Sequence, residues 1–311
     1  MPRVISPKKA VTLVRRGLRV HKSRANKLYD PMAMSFPRDP DTLAAQFAAL
    51  TLAAAVPIME IYGRDIAARA KADGSPVSEA DERAEVIILG ALADMLPDVT
   101  IIAEEATAQH GLGACGNCFV LVDPLDGTRE FLQRNGEFTV NIALVRDGRP
   151  VAGAVFAPAL GRLFWGGTSA FGCEAQPGGQ LPQRSVWREL HVRTPGSQLV
   201  AMASRSHADA HTASFLASAG ISEWRAAGSS LKFCALAAGE ADIYPRFGPT
   251  MEWDTAAGDA VLRAAGGMVF DEHGAPLAYG KTDKALRNGA FLACAAAPPR
   301  QWISACASTK G

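Results

Sequence analysis

Apolar positions along the chain follow two rhythms. From Asp41 to about Arg69 the spacing is helical: Phe47, Leu50, Ala54 and Met59 fall near a 3.6-residue period, with Pro57 as a kink or break. Residues 71–78 read as an irregular loop. Ser78 then opens a second helix with Ala84, Ile87, Ile88, Ala91 and Leu92 on its buried face. The pattern next contracts to short strands. Leu96 to Ala103 ends on Glu104-Glu105, and Phe119-Val-Leu-Val ends on Asp123-Pro124-Leu125-Asp126-Gly127. Proline closes a strand and Asp-Gly is a turn pair, so these acids are expected where buried strands surface. Residues 138–145 and 151–156 form a hairpin about Asp147-Gly148, and Leu163 to Trp165 follows a turn at Gly161.

Residues 173–198 are rich in Gly, Pro and Gln and mark the boundary. Beyond them strands (199–202, 241–244 cut by Pro245, 268–270, 291–294) alternate with helices (208–219, 231–238, 255–265), the helices stopped by Gly220, Gly239 and Gly266-Gly267. The expected fold class is an α+β N-terminal part with a largely antiparallel sheet, followed by an α/β C-terminal part. The expected divisions are a basic leader over 1–40, a metal-binding domain over 41–185, a domain over 186–297 that completes the site, and a frayed tail over 298–311.

Composition narrows the function. With 48% apolar and 20% charged residues, the 311-residue chain reads as a soluble globular protein, and no apolar run is read as long enough to cross a bilayer. The net charge of +1 hides an asymmetry: residues 1–28 carry nine Lys/Arg and no acid, leaving 23 basic against 31 acidic residues. A body of that sign excludes a nucleic-acid polymer as partner. The leader lacks the apolar core of a secretory signal and admits three readings: a disordered tail, a weak anchor to an anionic surface, or a start codon placed ahead of Met32 or Met34. Cys115-Gly-Asn-Cys118 has no second pair at zinc-finger spacing and reads as two reduced thiols on a surface turn.

Acids at element edges carry the candidate chemistry. Two carboxylates held together repel unless a proton or cation intervenes, and hard oxygen ligands suit Mg²⁺ or Mn²⁺. Each acid also has a bland reading. Asp123 and Asp126 fit a solvated turn, Asp81 fits a capping box with Ser78, and Asp254 fits a helix N-cap. Glu104, Asp123, Asp126 and Asp254 taken together have no basic partner fixed by local sequence. A cation cluster accounts for all four and puts a ligand cleft between the two halves.

Val122-Asp123-Pro124-Leu125-Asp126-Gly127-Thr128 resembles the first signature of the inositol monophosphatase superfamily, lithium-sensitive Mg²⁺-dependent phosphatases. Asp254-Thr-Ala-Ala-Gly258 resembles the second, and Ala103-Glu104-Glu105 their Gly/Ser-Glu-Glu element. The resemblance runs from about Asp41 to Phe291 and implies a layered αβαβα fold. The stretches 127–131, 134–141, 204–207, 228–233 and 244–250 are similar to the 3′(2′),5′-bisphosphate nucleotidase branch. That branch implies conversion of adenosine 3′,5′-bisphosphate to AMP and phosphate, with 3′-phosphoadenosine 5′-phosphosulfate as a second substrate. Arg129 departs from the Lys that members often carry, and Asp259 stands where some relatives have His. The alternatives are a phosphatase for inositol or sugar phosphates and a non-catalytic metal-binding protein.

By this resemblance, Glu104, Asp123 and the carbonyl of Leu125 hold one Mg²⁺, and Asp123, Asp126 and Asp254 a second. A third ion near Glu104 is expected when product phosphate is absent, and Glu105 is expected outside the ligand set. Thr128 and Asp81 activate the attacking water, and the amides of Gly127 and Thr128 hold phosphate oxygens. Lys232, Arg205 and Arg246 are the candidates for a distal phosphate, with Ser206, His207, Ser230 and Asp254 as further substrate contacts and Tyr244 or Phe233 flanking the base. Three of these have structural alternatives: Phe233 as core, His207 as a helix cap and Arg246 as partner of Glu252. The resemblance further implies Li⁺ inhibition, a monomer or homodimer, and a cytoplasmic location with or without contact at the inner membrane.

Overall fold

The computed structural model describes residues 39–64, 76–205, 210–299 and 301–303, which belong to one compact unit. The basic leader, residues 71–75 of the expected loop, Ser206, His207 and the end of the tail lie outside the described residues.

Helix α1 (Pro40–Tyr62) starts where Asp39 Oδ2 accepts the Thr42 N–H at 3.1 Å. It runs through the buried Pro57 instead of breaking there. Proline forfeits one helical hydrogen bond, and here buried turns on both sides hold the helix together. By length and composition α1 could cross a membrane, contrary to the expectation from sequence, yet most of its apolar stretch is buried inside the protein. Helix α2 (Pro76–Met95) begins ahead of Ser78, so Ser78 lies inside it. Its buried face is Asp81, Ala84, Glu85, Ile88 and Leu92, whereas Ile87 is 36% exposed. Two acids thus occupy a stripe that an apolar count assigns differently.

The first sheet holds β1 (Thr100–Ala103), β2 (Cys118–Asp126), β3 (Thr139–Arg146), β4 (Arg149–Ala157), β5 (Arg162–Gly166), β6 (Ala170–Glu174) and β7 (Arg188–Glu189), in chain order across the sheet. All pairs are antiparallel except β1–β2. Helix α3 (Glu104–His110) follows β1 directly, and the five-residue α4 (Thr128–Leu132) follows β2. Asp147 and Gly148 both have positive φ in the β3–β4 turn, as a two-residue hairpin requires.

The second sheet runs β12 (Met268–Asp271), β14 (Phe291–Cys294), β10 (Ile243–Arg246), β8 (Val200–Ser204), β9 (Glu223–Ala227). The pairs β10–β8 and β8–β9 are parallel and the rest antiparallel. Strand β10 passes through Pro245 instead of ending there. It meets β8 only at Ile243, so the missing N–H forfeits nothing on that flank. Helices α6 (Leu231–Ala237) and α7 (Glu252–Ala264) lie between the sheets, α5 (Ala210–Ser218) packs on the outer face of the second, and a short pair, β11 (Thr250–Met251) and β13 (Arg287–Asn288), borders α7. Helix α7 sits close on β4 and β5: a Cβ on Gly153 would come within 2.8 Å of Ala260, and one on Gly166 within 2.8 Å of Val261. The layers are therefore α1 and α2, first sheet, α6 and α7, second sheet, α5. Trp302 packs on Phe215 at 6.1 Å, so the chain past Pro298 is engaged at least that far.

Candidate active site

Strand β2 does not stop at Pro124. Asp123 pairs with Asn141 and Asp126 with Thr139, so three steps on β2 span two on β3. That bulge absorbs the proline and has a second consequence. Side chains alternate faces along a strand, and residues three apart fall on opposite sides. The extra residue returns Asp126 to the face of Asp123, which turns toward α6 and α7. Asp123 Oδ1 accepts the Leu125 N–H at 3.1 Å and closes the turn. Gly127 follows with φ +96°, and a Cβ there would come within 3.2 Å of both Phe138 and Ser229. Only glycine fits.

Glu104 stands where β1 ends, as expected. It does not extend a strand; it opens α3, whose first turn has no local side-chain cap. Glu85, on α2, supplies one from a distance, its two oxygens accepting the N–H groups of Glu105 (2.9 Å) and Ala106 (2.8 Å). Asp81 lies one turn before Glu85 on the same buried face. Its Oδ1 is buried with no hydrogen-bond partner among the described residues.

The second half contributes the opposite wall. Asp254 is the third residue of α7, and its Oδ2 accepts the Met251 N–H at 2.8 Å, so it caps the helix as well as facing the site. Buried Ser230 donates to the Asp254 carbonyl at 2.7 Å. Lys232 is buried, its Nζ donating to the carbonyls of Ser229 (2.5 Å) and Ala227 (3.2 Å) and lying 5.2 Å from the Tyr244 ring centroid. Arg246 donates to the carbonyls of Gly248 and Pro249; Glu252 instead pairs with Lys281 at 2.8 Å. Arg205 forms a two-pronged pair with Glu137, both contacts at 2.8 Å.

Asp126, Gly127, Thr128, Lys232, Arg246 and Asp254 line one cleft of about 260 Å³, together with Ser204, Ser229 and Thr250. Arg205 and Ser230 do not line it; Ser229 takes the place expected of Ser230. Phe233 and Tyr244 reach its wall, but both are buried and pack edge to face at 5.2 Å, and a Cβ on Gly258 would come within 2.6 Å of the Phe233 ring. Phe233 is core. Asp81, Glu104 and Asp123 join the cleft acids through their charge. Burial, then Glu104, Asp126, Asp254 and Asp81, push Asp123 well above the ordinary range. Burial and then Asp126 raise Glu104 to about 7 and Asp254 to about 8; burial and then Glu104 raise Asp81 to about 9. Burial lowers Lys232 to about 8 against the pull of Asp126.

These acids share one electrostatic field without convergence: among the described residues no three stand close enough to hold an ion as the side chains lie. Oxygens of Asp123, Asp126 and Asp254 are each committed to a nearby donor. The donor set still fits a hard divalent cation, being all oxygen, buried and mutually repelling, with Asp81 Oδ1 beside it, buried and without a partner among the described residues. Cys115 and Cys118 are both unbridged; Cys115 is buried, not on a surface turn.

Sequence reasoning passed over Glu85, Glu137, Thr139 and Asn141. Alternation gave a signal for the last two, since polar residues at β3 positions 139 and 141 precede apolar Ala143 and Val145 on the same face. Nothing local marks Glu85, whose partners lie 20 and 21 residues away.

The comparisons bear on the family and the fold. The family model described as "Inositol monophosphatase family" matches residues 39–302. The 3′(2′),5′-bisphosphate nucleotidase CysQ of Escherichia coli strain K12 is 42% identical over 75% of this chain and 92% of its own length, and that of Buchnera aphidicola is 38% identical over 76% and 88%. The crystal structure of CysQ from Bacteroides thetaiotaomicron, described as a bacterial member of the inositol monophosphatase family, superposes with a TM-score of 0.68 at 36% identity, over 81% of this chain and 96% of that one. Mycobacterium tuberculosis SuhB shares the fold at 22% identity and a TM-score of 0.64.

Proposed function

Because this chain belongs to the inositol monophosphatase family, we propose that it is a 3′(2′),5′-bisphosphate nucleotidase, hydrolysing adenosine 3′,5′-bisphosphate to AMP and phosphate and accepting 3′-phosphoadenosine 5′-phosphosulfate as well. The observation that carries the reading is the mixed charge of the cleft: the carboxylates of Asp126 and Asp254 and the cations of Lys232 and Arg246 line one cavity. A nucleotide with two phosphate groups suits both sets, one group at the acids by way of bound Mg²⁺ and one at the cations. Curated relatives with the same activity in their names, matched over 92% of their length, support the choice.

Glu104, Asp123, Asp126, Asp254 and the carbonyl of Leu125 are the proposed holders of two Mg²⁺ ions, with room in the reading for a third. Bound there, Mg²⁺ would supply a more acidic water and charge neutralisation at the phosphoryl and leaving oxygens. Thr128 and Asp81 are the proposed orienting pair: a hydroxyl can accept from water while donating to a carboxylate. Asp81, raised to about 9 by burial and then by Glu104 and Glu105, accepts in its ionised form, which cations bound at those acids would favour. The N–H groups of Gly127 and Thr128, at the start of α4, are the proposed cradle for phosphate oxygens. Attack is in line with no covalent intermediate. Lys232, donating to two carbonyls, is the proposed contact of the distal phosphate, assisted by Arg246; Arg205 reaches it only by leaving Glu137.

The test is a comparison of rates on adenosine 3′,5′-bisphosphate and inositol 1-phosphate with Mg²⁺. A large preference for the nucleotide is expected, and Lys232→Ala should raise its KM by about 10- to 100-fold, the cost of one charge-assisted hydrogen bond. Equal rates on the two substrates, unchanged by the substitution, would assign the chain to an inositol or sugar phosphatase. The reading places the protein in the cytoplasm; gel filtration and fractionation decide between monomer and dimer and test membrane contact.

A further inference from the structure

Thr139 and Asn141 are fully buried polar residues on the β3 face that continues into apolar core at Ala143 and Val145. Burying an amide and a hydroxyl is costly unless each group is satisfied. Here they are, and in one direction only. Thr139 Oγ1 donates to Asn141 Oδ1 at 2.9 Å, so the hydrogen between Thr139 and Ser229, 2.7 Å apart, comes from the serine. With its oxygen occupied, Asn141 points Nδ2 at two acceptors, Asp126 Oδ2 at 3.4 Å and Ser230 Oγ at 3.2 Å. Ser230 then donates onward to the Asp254 carbonyl at 2.7 Å.

The acceptors belong to different halves of the site. Asp126 comes from β2 of the first sheet, while Ser230 and Asp254 come from the segments around α6 and α7. We infer that Asn141 is a positioning residue that fixes Asp126 relative to Asp254 across the cleft, with Thr139 locking its amide orientation. The inference rests on the reading of these acids as metal holders. It explains why a strand that is otherwise apolar on this face turns polar at two alternate positions. The same relay reaches the Ser229 hydroxyl, and the carbonyl of that residue receives Lys232 Nζ, so the lysine is aligned through the same two residues. Serial hydrogen bonds of one polarity reinforce one another, so losing either member should loosen the whole relay.

The test titrates metal-stripped protein with Mn²⁺ calorimetrically, for wild type, Asn141→Ala, Thr139→Val and the double variant, alongside steady-state hydrolysis of adenosine 3′,5′-bisphosphate. Partners that orient metal ligands typically contribute 10- to 100-fold in metal affinity or activity. Asn141→Ala should therefore weaken Mn²⁺ binding by about 10-fold or more and lower kcat, with KM changed less than about 3-fold. Thr139→Val, which keeps the side-chain shape, should act in the same direction by less, and the double variant should lose less than the sum of the single losses. Wild-type Mn²⁺ affinity in Asn141→Ala, or strictly additive losses accompanied by lowered Tm alone, overturns the inference. If Asn141→Ala fails to fold, Thr139→Val alone decides, and unchanged Mn²⁺ affinity there overturns it. A wild type that binds Mn²⁺ but hydrolyses no phosphomonoester defeats the functional reading alone, while the Mn²⁺ series still judges Asn141. A wild type that binds no Mn²⁺ defeats both.

Discussion

Asp123 and Asp242 are both buried aspartates, at 1% and 4% exposure, and they do opposite things. Asp242 stands just ahead of β10. It accepts two hydrogen bonds from Arg193, Nε at 2.7 Å among them, and one from the Val200 N–H at 2.6 Å. Burial alone would raise its pKa, but those three donors outweigh it and hold the group below its ordinary 3.8. Asp123 has one backbone donor and a ring of acids, and its pKa rises. Burial is common to both. The difference lies in the sign of the neighbours, and a protein keeps like charges together only where something else is meant to neutralise them.

The sharpest way to break this contrast is Asp123→Asn. Mg²⁺-dependent hydrolysis should fall by roughly 1000-fold, on the scale of losing a central transition-state contact. At alkaline pH, where the cluster is ionised, the Tm of the metal-free protein should rise, because one member of a repelling cluster has been neutralised. A variant with wild-type kcat, or a lowered metal-free Tm at that pH, contradicts the assignment. Next in size is the effect of pH without metal. Carboxylates whose pKa is higher in the folded than in the unfolded chain bind protons on folding, so their stabilisation is complete below about 4. It is lost as pH rises through about 7, 8 and 9, for Glu104, Asp254 and Asp81. Thermal melts in a chelator should therefore decline between pH 5 and 9. Saturating Mg²⁺ should raise Tm most at the alkaline end, by mass action of about 4 kcal/mol at 1,000-fold excess over Kd. A flat chelator profile counts against the crowded cluster.

Asp242→Asn should act through stability alone. Losing the charge that three donors share should cost about 2 kcal/mol in denaturant melts, with kcat per folded molecule unchanged. Because the folded pKa is depressed, this contribution is present above pH 3.8 and fades as pH falls through the lowered value, so the gap between wild type and variant should close in acid. The smallest effect belongs to Arg205→Ala. Its partner Glu137 also accepts the Gly228 N–H at 2.9 Å, and Arg205 itself is 44% exposed, so about 0.5 kcal/mol or less should be lost. A large rise in nucleotide KM would instead show that Arg205 leaves Glu137 to meet substrate.

What the sequence determined by itself was what local spacing can encode. Alternation and turn residues marked the hairpin at Asp147-Gly148, glycines marked the ends of α5 and α6, and the run from Asp123 to Thr128 marked the acids. Pro57 was read as a kink or break and Pro245 as the end of its strand, because the cost of a missing N–H is local and visible whereas the burial that outweighs it comes from distant strands. Only the tertiary structure decided which face Asp126 takes, since that depends on pairing three residues of β2 against two of β3. It also decided that Glu85 caps α3, that Glu137 holds Arg205, and that Asn141 reaches both halves of the cleft. Each is a contact between residues at least 15 positions apart. Sequence periodicity carries the geometry of one element at a time; the meeting of two elements is set by packing, and the site is made where they meet.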